Sequence, residues 1–292
     1  MYFFRYYLNQ ENLNFLQVIL KGFLFRRKFL RFPQTPLTTF STHASLVPTM
    51  TNGLSARQTQ ILKALIDEYI ETAGPVGSEN LDKKYNLGVS PATIRNEMVS
   101  LTKAGYLRQP HTSSGRIPSP VAMKFYIDQL MEEKQMSLAD EVKAKEEIRD
   151  SKDNLDKLLD EATHALAART KSLALTAIDD GRVWQAGYAN VFSNPEFANM
   201  EVCSGLFSFL EEAQRIHELL FERASLTDPF DVLFGEELSW PELYPVGIVT
   251  AHFNAKGKSG VLGVVGPVRL SYATVVPIVK YFSSMIEEVA GK

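Results

Sequence analysis

From Leu54 onward apolar residues recur at helical spacing. In LSARQTQILKALIDEYIETAG, the residues Ile61, Leu62, Leu65, Ile66, Tyr69 and Ile70 fall on one stripe, which predicts a core-facing helix with Gly74 in the closing position. After GPVG, Ser78 stands where it can cap a second short helix carrying Leu81 and Tyr85, and NLGVS turns the chain into a third. There Ser90 offers an oxygen to the first free amides, Pro91 suits the first turn, and Ile94, Met98 and Leu101 recur on one face. Gly105 stops this helix. Tyr106-Leu107-Arg108 predicts a brief strand and HTSSGRIP a loop, after which Ser119-Pro120 repeats the cap-plus-proline signal. The helix it opens has Phe125, Tyr126 and Leu130 available to pack.

The pattern changes twice more. From Met131 to Thr170 the chain is rich in Glu, Lys, Ala and Leu and lacks Gly and Pro, which predicts helix. Val142, Ile148, Leu155, Leu158, Leu159, Ala162 and Leu166 recur there at a roughly heptad spacing. This suits either a connector packed on its own C-terminal domain or a dimer-forming hairpin. Beyond Lys171, SLALTAI, VWQAGYANVF, YPVGIVTAHF and GVLGVV read as strands separated by turns such as DDG and NAKGK, with a helix from Gly205 to Ala224. The expected class is α+β. A winged helix-turn-helix occupies 51–130, a helical connector or dimerisation segment 131–170, and an antiparallel sheet with helices 171–292.

The helix, strand and turn from Ser90 to Pro118 carry the candidate chemistry. Opposite the apolar face of the third helix stand Thr93, Arg95 and Asn96, short or forked polar side chains near a helix N-terminus. That combination reaches base edges and phosphates when a helix enters a major groove. In the loop, His111, Thr112, Ser113, Ser114 and Arg116 can clamp a phosphate or enter a minor groove. Charge agrees locally. The whole chain is at −3, yet between Gly74 and Lys124 seven Lys and Arg stand against three acids. Solvated surface charge is the plainer reading of that surplus, and the loop motif weighs against it.

The run PVGSENLDKKYNLGVSPATIRNEMVSLTKAGYLRQPHTSSGRIPS closely resembles the N-terminal domain of the heat-inducible transcription repressor family HrcA. Its two strongest words stand here as Ala92 to Met98 and Pro110 to Ser119. VFSNPEF, from Val191 to Phe197, and GVLGVVGPVRLSYATVVPIVKYFSSMI, from Gly260 to Ile286, resemble the family's mid-domain turn and closing strand, turn and helix. The resemblance implies a GAF-like C-terminal domain, an inverted-repeat DNA operator bound by a homodimer, chaperone genes under control, and a GroE-type chaperonin that maintains the active form. One segment departs from the pattern. TKSLALTAI passes directly to DDGRVW, where family members carry an extra segment associated with dimerisation.

Other classes find little support. Residues 1–50 hold six basic residues, one acid and many aromatics, and are read as an extension, disordered or weakly helical, with Met50 as an alternative start. An organellar presequence is the competing reading, and the apolar runs from Phe15 to Leu20 and Phe23 to Phe25 are too short for a membrane span. The lone cysteine, Cys203, excludes an internal disulfide framework, reads as a buried thiol and suits a reducing cytoplasm. His43, His111, His164, His217 and His252 show no ligand or triad spacing, so no catalytic residue, metal or cofactor is assigned. GVLGVVGP lacks phosphate-loop spacing and reads as tight packing. Two rivals to a repressor remain: a one-component regulator sensing a small ligand, and a protein-interaction adaptor.

Overall fold

Three helices follow one another from Ala56. The structure, a computed structural model, describes residues 53–223, 228, 230–238 and 240–291. The expectations for residues 1–50 and for His43 lie outside these. Helix α1 spans Ala56–Thr72, α2 Ser78–Lys84 and α3 Pro91–Lys103. Ser55 opens α1 by a reciprocal cap: its hydroxyl accepts from the Gln58 amide, and the Gln58 side chain accepts from the Ser55 amide. The helix closes one residue earlier than expected. Ala73, at φ 57, takes the left-handed position, and its amide reaches the Tyr69 carbonyl at 3.0 Å, so Gly74 is not the closing residue. Ser78 likewise is the first residue of α2 and not its cap, because Gly77 already holds the extended cap conformation.

Helix α3 follows its sequence signals. The Ser90 hydroxyl accepts from the Thr93 amide at 3.3 Å, Pro91 occupies the first turn, and Ile94, Met98 and Leu101 are buried. Gly105 at φ 84 turns the chain into β1 (Leu107–Arg108), which pairs antiparallel with β2 (Ile117–Pro118). A bridge between Val76 and Arg116 fastens this ribbon to the loop between α1 and α2. Ser119 then caps α4 (Pro120–Phe125), which runs into a wider π turn over Tyr126–Leu130. The Tyr126 hydroxyl donates to Asp67 of α1 at 2.6 Å, and burial first, then Asp67, raises its pKa above the ordinary tyrosine value.

The region read as one helical stretch has three parts. Residues 131–137 form no regular element, and two helices follow, α5 (Leu138–Arg149) and α6 (Leu155–Thr170). A proline elsewhere accounts for how this irregular part is held. Pro277 lies inside the last helix and has no amide to give the carbonyl four residues back, Ala273. The Lys134 amide donates to that freed carbonyl at 2.7 Å. Lys280 of the same helix also pairs with Glu133 at 2.8 Å. Within α5 and α6 the apolar positions are used unequally. Ile148, Leu158, Leu159, Ala162 and Leu166 are buried, whereas Leu138 and Val142 are exposed.

A five-stranded antiparallel sheet follows: β3 (Leu173–Ile178), β4 (Val183–Ala186), β5 (Asp231–Phe234), β6 (Val246–Ala255) and β7 (Lys258–Pro267), in spatial order β4-β3-β7-β6-β5. Gly187 at φ 84 ends β4 and opens the short helix α7 (Tyr188–Val191), so YANV is helical, Phe192 caps it, and neither is part of the expected strand. The helix expected from Gly205 begins earlier. It is α8 (Met200–Glu211), followed by α9 (Ala213–Glu218) and a π turn over Leu219–Arg223. Helix α10 (Tyr272–Ala290) closes the fold.

Alternate residues of each strand serve two cores. Ala174, Val249, Ala251, Phe253, Leu262 and Val264 join α6, α10 and the buried residues of α1 and α3 in one continuous cluster. Leu173, Leu175, Ile248, Val261 and Val265 face Leu206, Phe209 and Ile216 of α8 and α9 in the other. With both faces covered, all six residues of β3 are buried, which is why LALTAI shows no alternation of polar and apolar residues. Gly260 in β7 fits the tight-packing reading, since a Cβ there would lie 2.1 Å from the Phe253 ring. Gly53–Lys292 form one compact unit of helices and antiparallel sheet, an α+β fold.

Candidate nucleic-acid interface

Helix α3 and the loop between β1 and β2 flank a cleft of about 500 Å³. Arg95, Met98 and Val99 line it from the helix, Thr112, Ser113, Ser114, Gly115 and Arg116 from the loop, and Ser78, Glu79 and Asn80 from α2. Five of the nine sequence-predicted residues therefore share one concavity. Ser90, Thr93, Asn96 and His111 do not line it. Asn96 and His111 are exposed close by, and the Ser90 hydroxyl lies 3.1 Å from that of Thr93, so the two are partly spent on each other at the start of α3.

Within the loop the predicted residues divide by what they already bond. Ser114 is used internally: its amide donates to the His111 carbonyl at 2.9 Å, and its hydroxyl donates to that carbonyl at 2.7 Å and accepts from the His111 amide at 3.0 Å. Arg116 is also anchored. Its backbone exchanges hydrogen bonds with Val76 at 2.8 and 2.9 Å, and its Nε donates to the Thr102 hydroxyl at 3.1 Å. Gly115 between them sits so close to Val76 that a Cβ would lie 2.3 Å from the Val76 carbonyl oxygen. Arg95 and the hydroxyls of Thr112 and Ser113 differ. Among the described residues they make no side-chain hydrogen bond or ion pair, and Arg95 is exposed at the cleft.

The local basic surplus is smaller than the count suggests. Arg108 is held by Glu236 through two hydrogen bonds of 2.9 and 2.8 Å, and Lys124 pairs with Glu237 at 2.7 Å. Lys84 bonds Glu68 and Glu71, which raise its pKa above the ordinary lysine value. Three of the seven cations thus meet acids outside the counted segment. The two acids that hold Arg108 and Lys124 lie more than a hundred residues away, beyond the reach of any local reading. Sequence reasoning also missed Gln109, Thr102 and Val76, which shape the loop; nothing in their spacing marks them.

Elsewhere, Cys203 is buried on α8 as a free thiol. Among the described residues no group of His, Cys, Asp or Glu is placed to hold a metal ion, and no helix is long and apolar enough to cross a membrane.

The chain is also similar to known proteins. The family model for the HrcA protein C terminal domain matches residues 118–276. The Heat-inducible transcription repressor HrcA of Carboxydothermus hydrogenoformans is 27% identical over 339 aligned positions, covering 82% of this chain and 98% of that protein. The protein of the same name from Symbiobacterium thermophilum is 28% identical, with 80% and 97% covered. Since 82% of 292 residues enter an alignment of 339 positions, about 100 positions of the first relative have no counterpart here. The expected shortening is therefore real. Where the sequence reading put it, β3 and β4 are joined by a tight turn at Gly181, φ 91. A crystal structure described as a hypothetical protein at 2.2 Å resolution shares the fold, with TM-score 0.63, 17% identity, and 81% of this chain and 98% of that one covered. The family model alone spans more than half of the sequence, and on that ground the chain belongs to the HrcA family.

Proposed function

We propose that this chain is a transcriptional repressor of heat-shock genes that binds an inverted-repeat DNA operator as a homodimer and releases it on heat stress. The observation that carries this reading is the cleft between α3 and the ribbon loop, where Arg95, Thr112 and Ser113 stand together with their polar groups unspent. In this reading residues 51–130 are a winged helix, α3 is the recognition helix and the ribbon loop is the wing. Arg95, Asn96 and Thr93 enter or border the major groove, and Thr112 and Ser113 meet phosphate oxygens. Ser90, Ser114 and Arg116 hold the reading surface in shape, and His111 stands exposed at the wing. Residues 131–170 act as connector and 171–292 as a GAF-like regulatory domain, a reading supported by a five-stranded antiparallel sheet covered on both faces. The relatives' names, heat-inducible transcription repressors, support the regulatory role. A cytoplasmic site of action and maintenance by a GroE-type chaperonin complete the reading.

Arg95→Ala tests the reading unit. Operator affinity is expected to fall with the folded fraction unchanged. If Arg95 meets a phosphate, the slope of log affinity against log salt should also become shallower by about 0.9. Unchanged affinity in a folded variant would remove Arg95 from the interface and the reading would lose its main support.

A further inference from the structure

The shape of the wing turn depends on one side chain outside the predicted contact set. Gln109 stands just before Pro110, and its Nε2 donates to the Thr112 carbonyl at 2.8 Å and to the Ser114 carbonyl at 3.1 Å. A single amide group thereby ties two points of the turn, using both of its N–H bonds. Between those two carbonyls stands Ser113, and beside it Thr112, and neither hydroxyl makes a hydrogen bond among the described residues. Beyond them the chain is pinned by Gly115 against Val76 and by Arg116 on Thr102.

We infer that Gln109 is a positioning residue for DNA recognition, presetting the wing turn so that Thr112 and Ser113 meet the phosphate backbone alongside Arg95. The inference rests on the DNA-binding reading above. A loop already ordered in the free protein does not lose conformational entropy when it binds, so removing the tether weakens binding without removing a contact. Gln109 acts through the turn.

A double-mutant cycle separates positioning from contact. Affinity is measured for the full chain on a duplex carrying the inverted repeat upstream of a chaperone operon, for Gln109→Ala, for Thr112→Ala with Ser113→Ala, and for the three changes together. Gln109→Ala should weaken binding about tenfold, the scale of losing two neutral hydrogen bonds. The triple variant should bind no worse than the double, because the tether matters only while the hydroxyls it places are present. Unchanged affinity in Gln109→Ala, or a loss that adds fully to the double variant, overturns the inference. Gln109→Glu keeps the size and removes both donors. Amide hydrogen exchange at Ser114 in the free protein should quicken in this variant and in Gln109→Ala, and unaltered exchange would also overturn it. If the unmodified chain binds no duplex at any salt, the DNA-binding reading falls and this inference with it. That outcome is distinct from a wild type that binds and a Gln109 variant that binds equally.

Discussion

Gly115 has no room for a side chain. A Cβ would press on backbone atoms of Val76, which cannot rotate away as a side-chain tip could. Gly115→Ala should therefore push the ribbon off the α1–α2 loop and break the Val76–Arg116 bridge, at a cost of about 1–3 kcal/mol, the range for overpacking a filled site. Urea unfolding measures that cost, and an unchanged midpoint would mean that the loop can shift freely. At this scale much was legible from the chain. Ser90, Pro91, Ile94, Met98 and Leu101 announce a capped helix by type and spacing alone, because each acts on neighbours within one or two turns. Gly115 is different. Its neighbour Val76 is thirty-nine positions away, so the sequence shows a glycine in a loop but not the backbone that demands it.

At the scale of elements, the packing of α6 on the sheet contains a polar pair in an apolar setting. Thr163 and Thr176 are both buried, their hydroxyl oxygens 2.7 Å apart, and the Thr163 hydroxyl also lies 2.6 Å from the Leu159 carbonyl. The two threonines are not equivalent. Removing Thr176 leaves Thr163 bonded to Leu159, whereas removing Thr163 strands the Thr176 hydroxyl. Thr163→Val should cost about 1–3 kcal/mol and Thr176→Val less, with the double substitution close to Thr176→Val alone. Chemical denaturation of the three variants checks this asymmetry, and equal single-variant losses that add would contradict it. Elements were less legible than residues. The stretch from 131 to 137 has helix-forming composition yet is not helical, and its Lys134 amide is held by the carbonyl that Pro277 frees far along the chain. YANVF has strand-like composition but leaves the sheet after Gly187, and the four residues of β5 were too few to declare a period.

Over the whole molecule, the N-terminal helices α1 to α4 and the sheet share a continuous apolar cluster. Among the described residues three polar ties cross the same boundary. Arg108 and Lys124 meet Glu236 and Glu237, and Arg269, paired with Glu196 at 2.6 and 3.0 Å, donates to the Ile70 carbonyl near the end of α1 at 3.3 Å. The count of basic residues pointed to a charged face, and the fold shows that part of that charge is spent inside the molecule. At the cleft the cations are Arg95, which has no acid partner among the described residues, and Arg116, whose Nε rests on the neutral Thr102 hydroxyl. In the proposed reading, specific recognition depends on placing a few groups well, more than on a broad positive field. Dimerisation would supply the rest, since two copies bound to paired half-sites add their contacts. The most direct measurement is binding of the chain to a duplex carrying a chaperone-operon inverted repeat and to a scrambled duplex, across several salt concentrations, with the mass of the complex determined in solution. The account predicts sequence-selective binding by two copies, weakening as salt rises. Equal, weak binding to both duplexes by a single copy would contradict it.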